Sequence, residues 1–133
     1  MERSIIDLSK YRLDTSKSDL NVANMLFDAK EFRASVNRSY YSVFHALRAV
    51  IALDGFDSSK HSGIIAYFNE HYVKTGVFEK IISKCISTTY KIREKSDYQD
   101  FYVVSKEEAA VQIEKAKQVV TAVEKYLMEK YQY

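Results

Sequence analysis

Residues 31–55 read EFRASVNRSYYSVFHALRAVIALDG, a stretch without proline that ends on a glycine. At about 100° per residue, Phe32, Val36, Tyr40, Val43, Leu47, Val50 and Ile51 gather on one broad face, the core stripe of an amphipathic helix. The periodicity predicts a helix over about residues 31–53, with Gly55 as its C-terminal stop. The opposite face is unusual. It carries Ala34, Arg38, Tyr41, His45, Arg48 and Ala52, and no lysine or acid lies between Arg33 and Asp54. Small, aromatic and cationic residues together mark a contact surface more than a solvated one. The simplest partner is a second copy of the same helix across a two-fold axis, which predicts a homodimer formed through this helix.

Working outward, the 133 residues contain no proline and three glycines, so long helices run unbroken and strand-and-turn chemistry is poorly supplied. A first helix is expected over about 4–29, with Ile6, Leu13, Leu20 and Phe27 recurring every seven residues. A short third helix starts after Ser58 or Ser59, runs through Ile64, Ile65 and Phe68, and ends before Gly76. The fourth is expected from about Val77 to Lys95, burying Phe78, Ile81, Ile82, Cys85, Thr89 and Ile92. SDYQDFYVV, residues 96–104, breaks the helical period and reads as a packed connection, with a short extended stretch at FYVV as the alternative. The fifth helix begins at Ser105, where Glu108 completes a capping box, and buries Ala109, Ile113, Ala116, Val120, Val123 and Leu127. The expected fold is all-α: an up-and-down bundle of four long helices plus one short one, in a single domain over residues 1–133.

The bulk composition narrows the function classes. Hydrophobic residues make up 47% and charged residues 29%, as in globular proteins, and no 18-residue uncharged apolar run is available to span a bilayer. The start of the chain does not resemble a signal or transit peptide, so a cytoplasmic location without membrane contact is expected. Cys85, the single cysteine, has no partner for a disulfide or a cysteine zinc site and reads as a buried thiol beside Ile81, Ile82 and Thr89. A net charge of +2 gives no general attraction to nucleic acid, so any such contact must be local.

Arg38 and His45 lie about 10 Å apart along the helix axis and about 20° apart around it, so they line one groove. A guanidinium holds a phosphate by two hydrogen bonds, and an imidazole moves a proton near neutral pH. On RNA the pair suits removal of the 2′-OH proton by His45 while Arg38 stabilises charge on the phosphate, with no metal or cofactor. DNA lacks the 2′-OH. Cationic neighbours such as Arg38 and Arg48 disfavour the imidazolium and keep His45 a base. The plain alternative is a structural interface in which both residues bond carboxylates or carbonyls.

Other residues admit two readings each. Arg93, at the edge of the fourth helix's apolar face, needs a carboxylate such as Asp97 or Asp100; alternatively Arg93, Asp97 and Tyr98 border the Arg38/His45 cleft. Lys80, Lys84, Lys91 and Lys95 form either a solvated face or a track for a phosphate backbone. His61 and His71 have no ligand spacing for a metal, and His61 is placed near the third helix's N-terminus. There is no glycine-rich phosphate loop. Eleven tyrosines and seven phenylalanines mostly supply core and interface, although Tyr41 and Tyr98 could stack on bases.

NRSYYSVFHALRA, residues 37–49, resembles the signature helix of the HEPN superfamily, in which an arginine is followed by four to six residues and a histidine; six separate Arg38 from His45. The likeness extends to Lys60-His61-Ser62-Gly63 with Phe68, to Arg93 with Ser96-Asp97-Tyr98, and to Glu107, Glu108 and Ala109 of the last helix. It resembles the small stand-alone prokaryotic branch. The resemblance implies a helical bundle that dimerises through the motif helix and a composite cleft where two motifs meet. It further implies ribonuclease activity with Arg38 and His45 catalytic, in toxins paired with a minimal nucleotidyltransferase antitoxin. Two positions differ from that pattern. Ser39 stands where many active members have Asn, Asp or His, and Leu47 stands where such antitoxins modify a tyrosine. The alternative function is a non-catalytic module that binds a nucleotide, an RNA or a nucleotidyltransferase through the same surface, and a purely structural dimer is a third.

Overall fold

With no proline to break it, the chain forms five α-helices among the described residues. The computed structural model describes residues 2–133: α1 Glu2–Asp28, α2 Phe32–Ile51, α3 His61–Phe68, α4 Lys80–Tyr98 and α5 Lys106–Tyr131, with a 3₁₀ turn at Ala52–Asp54 and a π turn at Asn69–Val73. No strand occurs among the described residues, so FYVV is a non-helical connection. The all-α bundle expected from the periodicity is the observed architecture, and α2 packs against each of the other four helices.

The α1–α2 pair sets the arrangement. Its turn closes without glycine: the Glu31 N–H donates to the Leu26 carbonyl at 2.8 Å and the Lys30 N–H to the Phe27 carbonyl at 2.9 Å. Lys30 takes the left-handed conformation usually left to glycine, at φ 64°. So short a turn forces the helices antiparallel. Beside the expected seam of Ile6, Leu13, Leu20 and Phe27 runs a second one of small residues. Ser9, Ser16 and Ala23 face Ala49, Ser42 and Ser35, and all six are fully buried. Each level is tied by one hydroxyl: Ser9 Oγ donates to the Ala49 carbonyl at 2.6 Å, Ser16 Oγ to the Ser42 carbonyl at 2.5 Å, and Ser35 Oγ to the Ala23 carbonyl at 2.8 Å. Small side chains let the backbones approach, and the hydroxyls satisfy themselves on carbonyls that larger residues would keep out of reach.

On its other sides α2 buries Val36, Tyr40, Val43, Leu47, Val50 and Ile51 against α5, α4 and α3, while Phe32 is half-buried. The α2 stop at Gly55 stands, at φ 73°. Three expectations need correction. The fourth helix begins at Lys80 and reaches Tyr98, because the Phe78 N–H is engaged with the Tyr72 carbonyl at 2.8 Å before the helix starts. That phase turns Ile81 outward, 45% exposed, and puts Ile86 in the core beside Cys85. The Ser105 cap accepts from the Glu108 N–H at 3.0 Å, but the Glu108 carboxylate accepts from the Tyr102 hydroxyl at 2.7 Å and does not reach back. Cys85 is fully buried, as expected, and burial pushes its thiol up.

The close α1–α2 seam predicts a size limit at its middle level. Ser16→Ala should cost about 1 kcal/mol, the worth of one net hydrogen bond. Ser16→Leu should cost about 1–3 kcal/mol or more by overpacking, read as a drop in the urea midpoint.

Candidate functional site

Once four helices have covered α2, one strip of it is left partly open. Ala34 is exposed, and Arg38, Tyr41, His45 and Arg48 are half-buried along the same line. Ala52, the last residue expected on this face, lies in the 3₁₀ turn and is buried, which corrects that position. Ser39, which follows the motif arginine, points away from the strip and is fully buried.

α1 forms one wall. Its antiparallel register places Arg12 beside Arg48 and Asp19 beside Arg38 and His45. The Arg12 Nη1 donates to the Arg48 carbonyl at 3.2 Å. Asp19 is mostly buried, its side chain 14% exposed. Its Oδ1 lies 3.2 Å from Arg38 Nη1, and its Oδ2 lies 3.9 Å from His45 Nε2. Sequence reasoning missed Asp19. A signal was present: Arg12, Asp19 and Leu26 recur every seven residues, in step with the buried Ser9, Ser16 and Ala23.

α4 forms the other wall. Arg93 Nε is 2.9 Å from Asp97 Oδ2, its Nη1 is 3.2 Å from Glu94, and its Nη2 donates to the Tyr41 hydroxyl at 3.1 Å. Its guanidinium also stacks near Tyr40, Tyr41 and Tyr98 at 5.2, 5.3 and 5.7 Å. Asn37, a second residue that sequence reasoning missed, closes the network. Its Nδ2 donates to Asp97 at 3.3 Å, while its Oδ1 accepts from Arg38 Nε at 3.2 Å and Nη2 at 2.9 Å. The Arg38 guanidinium sits 4.8 Å above the Tyr41 ring. Arg93 is thus paired with Asp97 and lies beside the strip through Tyr41. Asp100 is exposed.

At the far end, the His61 ring stacks on Phe44 at 3.9 Å and its Nδ1 lies 2.8 Å from the Tyr40 hydroxyl. Burial holds the Tyr40 phenol up, so the phenol keeps its proton. Arg48 pairs with Asp57 at 3.5 Å. Phe44, Arg48, Asp57, Ser58, Ser59 and His61 line an open groove of about 600 Å³. A second groove of about 310 Å³, lined by Leu26, Arg33, Ala34, Asn37, Arg38 and Asp97, adjoins the other end of the strip. Arg38, Tyr41, His45, Arg48, His61, Arg93, Asp97 and Tyr98 thus lie on or beside one strip. His71 instead stacks near Tyr67 at 4.2 Å, and Lys80, Lys84, Lys91 and Lys95 are exposed on the outside of α4.

Burial, then the Arg48, Arg38 and Arg12 charges, holds His45 below its ordinary value near 6.5, against an opposing pull from Asp19. Burial, with Arg93 and Arg48, lowers His61 likewise, against Glu94. At neutral pH both rings are neutral. Chemically, the strip offers a neutral base beside a guanidinium. Arg38 uses three of its five N–H groups within the protein, and its side chain is 36% exposed, so two donors remain for an anion.

A helical bundle with this arginine–histidine strip on its central helix defines an α-helical family, and the comparisons name it. The chain belongs to the HEPN domain family, whose model matches residues 9–126. It is 33% identical over 86 residues to a "Putative toxin" of Methanocaldococcus jannaschii, a match covering 65% of this chain and 64% of that protein. The chain therefore spans just under two thirds of that relative. It is 32% identical over 108 residues to a UPF0332 protein of Thermotoga maritima, covering 81% of this chain and 82% of the relative. A second Methanocaldococcus jannaschii "Putative toxin" is 25% identical over 118 residues, covering 89% of this chain and 80% of its own length. No helix among the described residues is long and apolar enough to cross a membrane.

The depressed histidines make stability depend on pH. Below their ordinary value the unfolded chain binds protons that the folded one refuses, so this contribution is complete above pH 6.5 and is lost as pH falls through the folded values. The melting temperature should fall between about pH 7.5 and 5, and His45→Gln/His61→Gln should flatten that fall.

Proposed function

We propose that this protein is a metal-independent endoribonuclease of toxin or defence type, acting as a homodimer in which two α2 strips face each other across a two-fold axis. The observation that carries the reading is the placement of Arg38 and His45 around one shared carboxylate, on a partly open strip of the central helix. The word toxin in two relatives' names supports the biological class.

His45, neutral at pH 7, takes the proton from an RNA 2′-OH. The 2′-oxygen attacks phosphorus, and the two free Arg38 donors stabilise the charge gathering on the phosphate oxygens. The 5′-oxygen departs and takes a proton back from the His45 imidazolium, leaving a 2′,3′-cyclic phosphate on one fragment and a 5′-hydroxyl on the other. Proton transfer and charge stabilisation are both supplied by side chains, so neither metal nor cofactor is needed. Tyr41, Arg48, His61, Arg93, Asp97 and Tyr98 border the cleft and hold RNA or orient the pair. A minimal nucleotidyltransferase antitoxin is the expected partner.

Purified protein should cleave RNA in EDTA, yield cyclic-phosphate ends and spare DNA. His45→Ala and Arg38→Ala should each lower the rate by about 10²-fold or more while keeping the helical signal. Undiminished cleavage by His45→Ala would overturn the assignment, and RNA binding without turnover would favour the non-catalytic module.

Dimerisation through α2 has its own support. The end of α4 and the segment after it, tied to α2 by Arg33 donating to the Tyr102 carbonyl, expose Tyr98, Phe101 and Val103 at 71, 100 and 82%. Phe101 is held outward at φ 64° while Tyr102 and Val104 turn inward. So ordered and apolar a display fits a buried contact. Light scattering should report a dimer, and Ala34→Lys, at a position exposed in the single chain, should weaken association at least about tenfold by setting like charge against the facing copy.

A further inference from the structure

Asp19 is a buried carboxylate that serves two partners with two different oxygens. Oδ1 is used, accepting from Arg38 Nη1 at 3.2 Å. Oδ2 is shut off from solvent and accepts no hydrogen bond, and His45 Nε2 lies 3.9 Å from it. A buried carboxylate oxygen without a donor is costly, and a small ring movement toward it would close the gap.

We propose that Asp19 is the positioning residue of the arginine–histidine pair: its Oδ2 receives the Nε2–H of His45, fixes the ring with Nδ1 as the free basic nitrogen, and steadies the imidazolium formed when that nitrogen takes a proton. This rests on the ribonuclease reading for its catalytic consequence, though not for the contact itself. One side chain then sets both members: Oδ1 aims the guanidinium and Oδ2 sets the tautomer. It arrives from α1 only because the small-residue seam brings that helix close.

The charges around His45 make Asp19 decisive. From α1 it meets Arg12 and Asp19; on α2 it meets Arg38, Arg48 and the Tyr41 ring, with Phe44 between it and His61 of α3. Asp57 is engaged by Arg12 and Arg48. Asp19 is therefore the carboxylate that favours the imidazolium against three arginines.

Asp19→Asn separates this role from a merely structural one. The amide keeps an oxygen to accept from Arg38 but puts an NH₂ where Oδ2 stood, and an NH₂ cannot accept from Nε2–H. In the whole protein, ¹⁵N-detected histidine NMR should show the His45 population with the proton on Nε2 falling and its pKa moving down, with the helical signal and urea midpoint retained. In RNA cleavage kcat should fall at least tenfold with KM little changed, and the acidic limb of the rate profile should move to lower pH. Asp19→Glu should restore part of the His45 pKa. An unchanged His45 tautomer and pKa in Asp19→Asn would overturn the proposal. Altered His45 titration in a wild-type protein that never cleaves RNA would support the contact while defeating the ribonuclease reading.

Discussion

The structure depends on the close approach of α1 to α2 along two heptads of serine and alanine. Ser9, Ser16 and Ala23 leave no bulk between the backbones, and Ala49, Ser42 and Ser35 return the same profile from the other side. Hydroxyl-to-carbonyl bonds at all three levels fix the register as well as the distance. A slip of one turn would break all three of these bonds and leave buried hydroxyls to find other partners. With that register fixed, α2 becomes the axis on which α3, α4 and α5 complete their packing.

The same seam determines what borders the open strip. A wider interface built on leucine would hold Arg12 and Asp19 farther from α2. Here they form a wall of the groove, and Asp19 reaches two residues that lie two turns apart on the neighbouring helix. On the opposite wall, Arg93, Asp97, Asn37, Arg38 and Tyr41 close a ring of hydrogen bonds and a cation–π contact. Each arginine of the strip is matched by a carboxylate, so the site keeps its charges fixed in place in a chain with little net charge. Such preorganised polarity suits binding of an anion better than diffuse positive charge does.

The long helices were legible because their apolar positions repeat, and because Gly55 and Ser105 mark two of their ends. Ile81 and Ile86 exchanged roles because the phase of α4 is set by its true start at Lys80, and a backbone bond from Phe78 to Tyr72 decides that start. The capping box was half right: Glu108 has two possible partners, and the Tyr102 hydroxyl comes from a loop whose path sequence does not reveal. Arg38, Tyr41, His45 and Arg48 could be grouped from one helix's geometry, since neighbours on a helix face follow from spacing. Asp19 and Asn37 could not. Asp19 lies on a different helix, 19 residues before Arg38, and the role of Asn37 depends on Asp97, which α4 brings in.

By itself, then, the sequence determined the all-helical class, most of the core stripe of the long helices and the shared face of Arg38 and His45, because these follow from residue type and a period of about 3.6. Only the tertiary structure decided which side of α2 stayed open and which carboxylate sits beneath the pair. It also decided that Ser39 faces inward. Those outcomes depend on the distance and register between helices, which arise when small residues from distant parts of the chain meet.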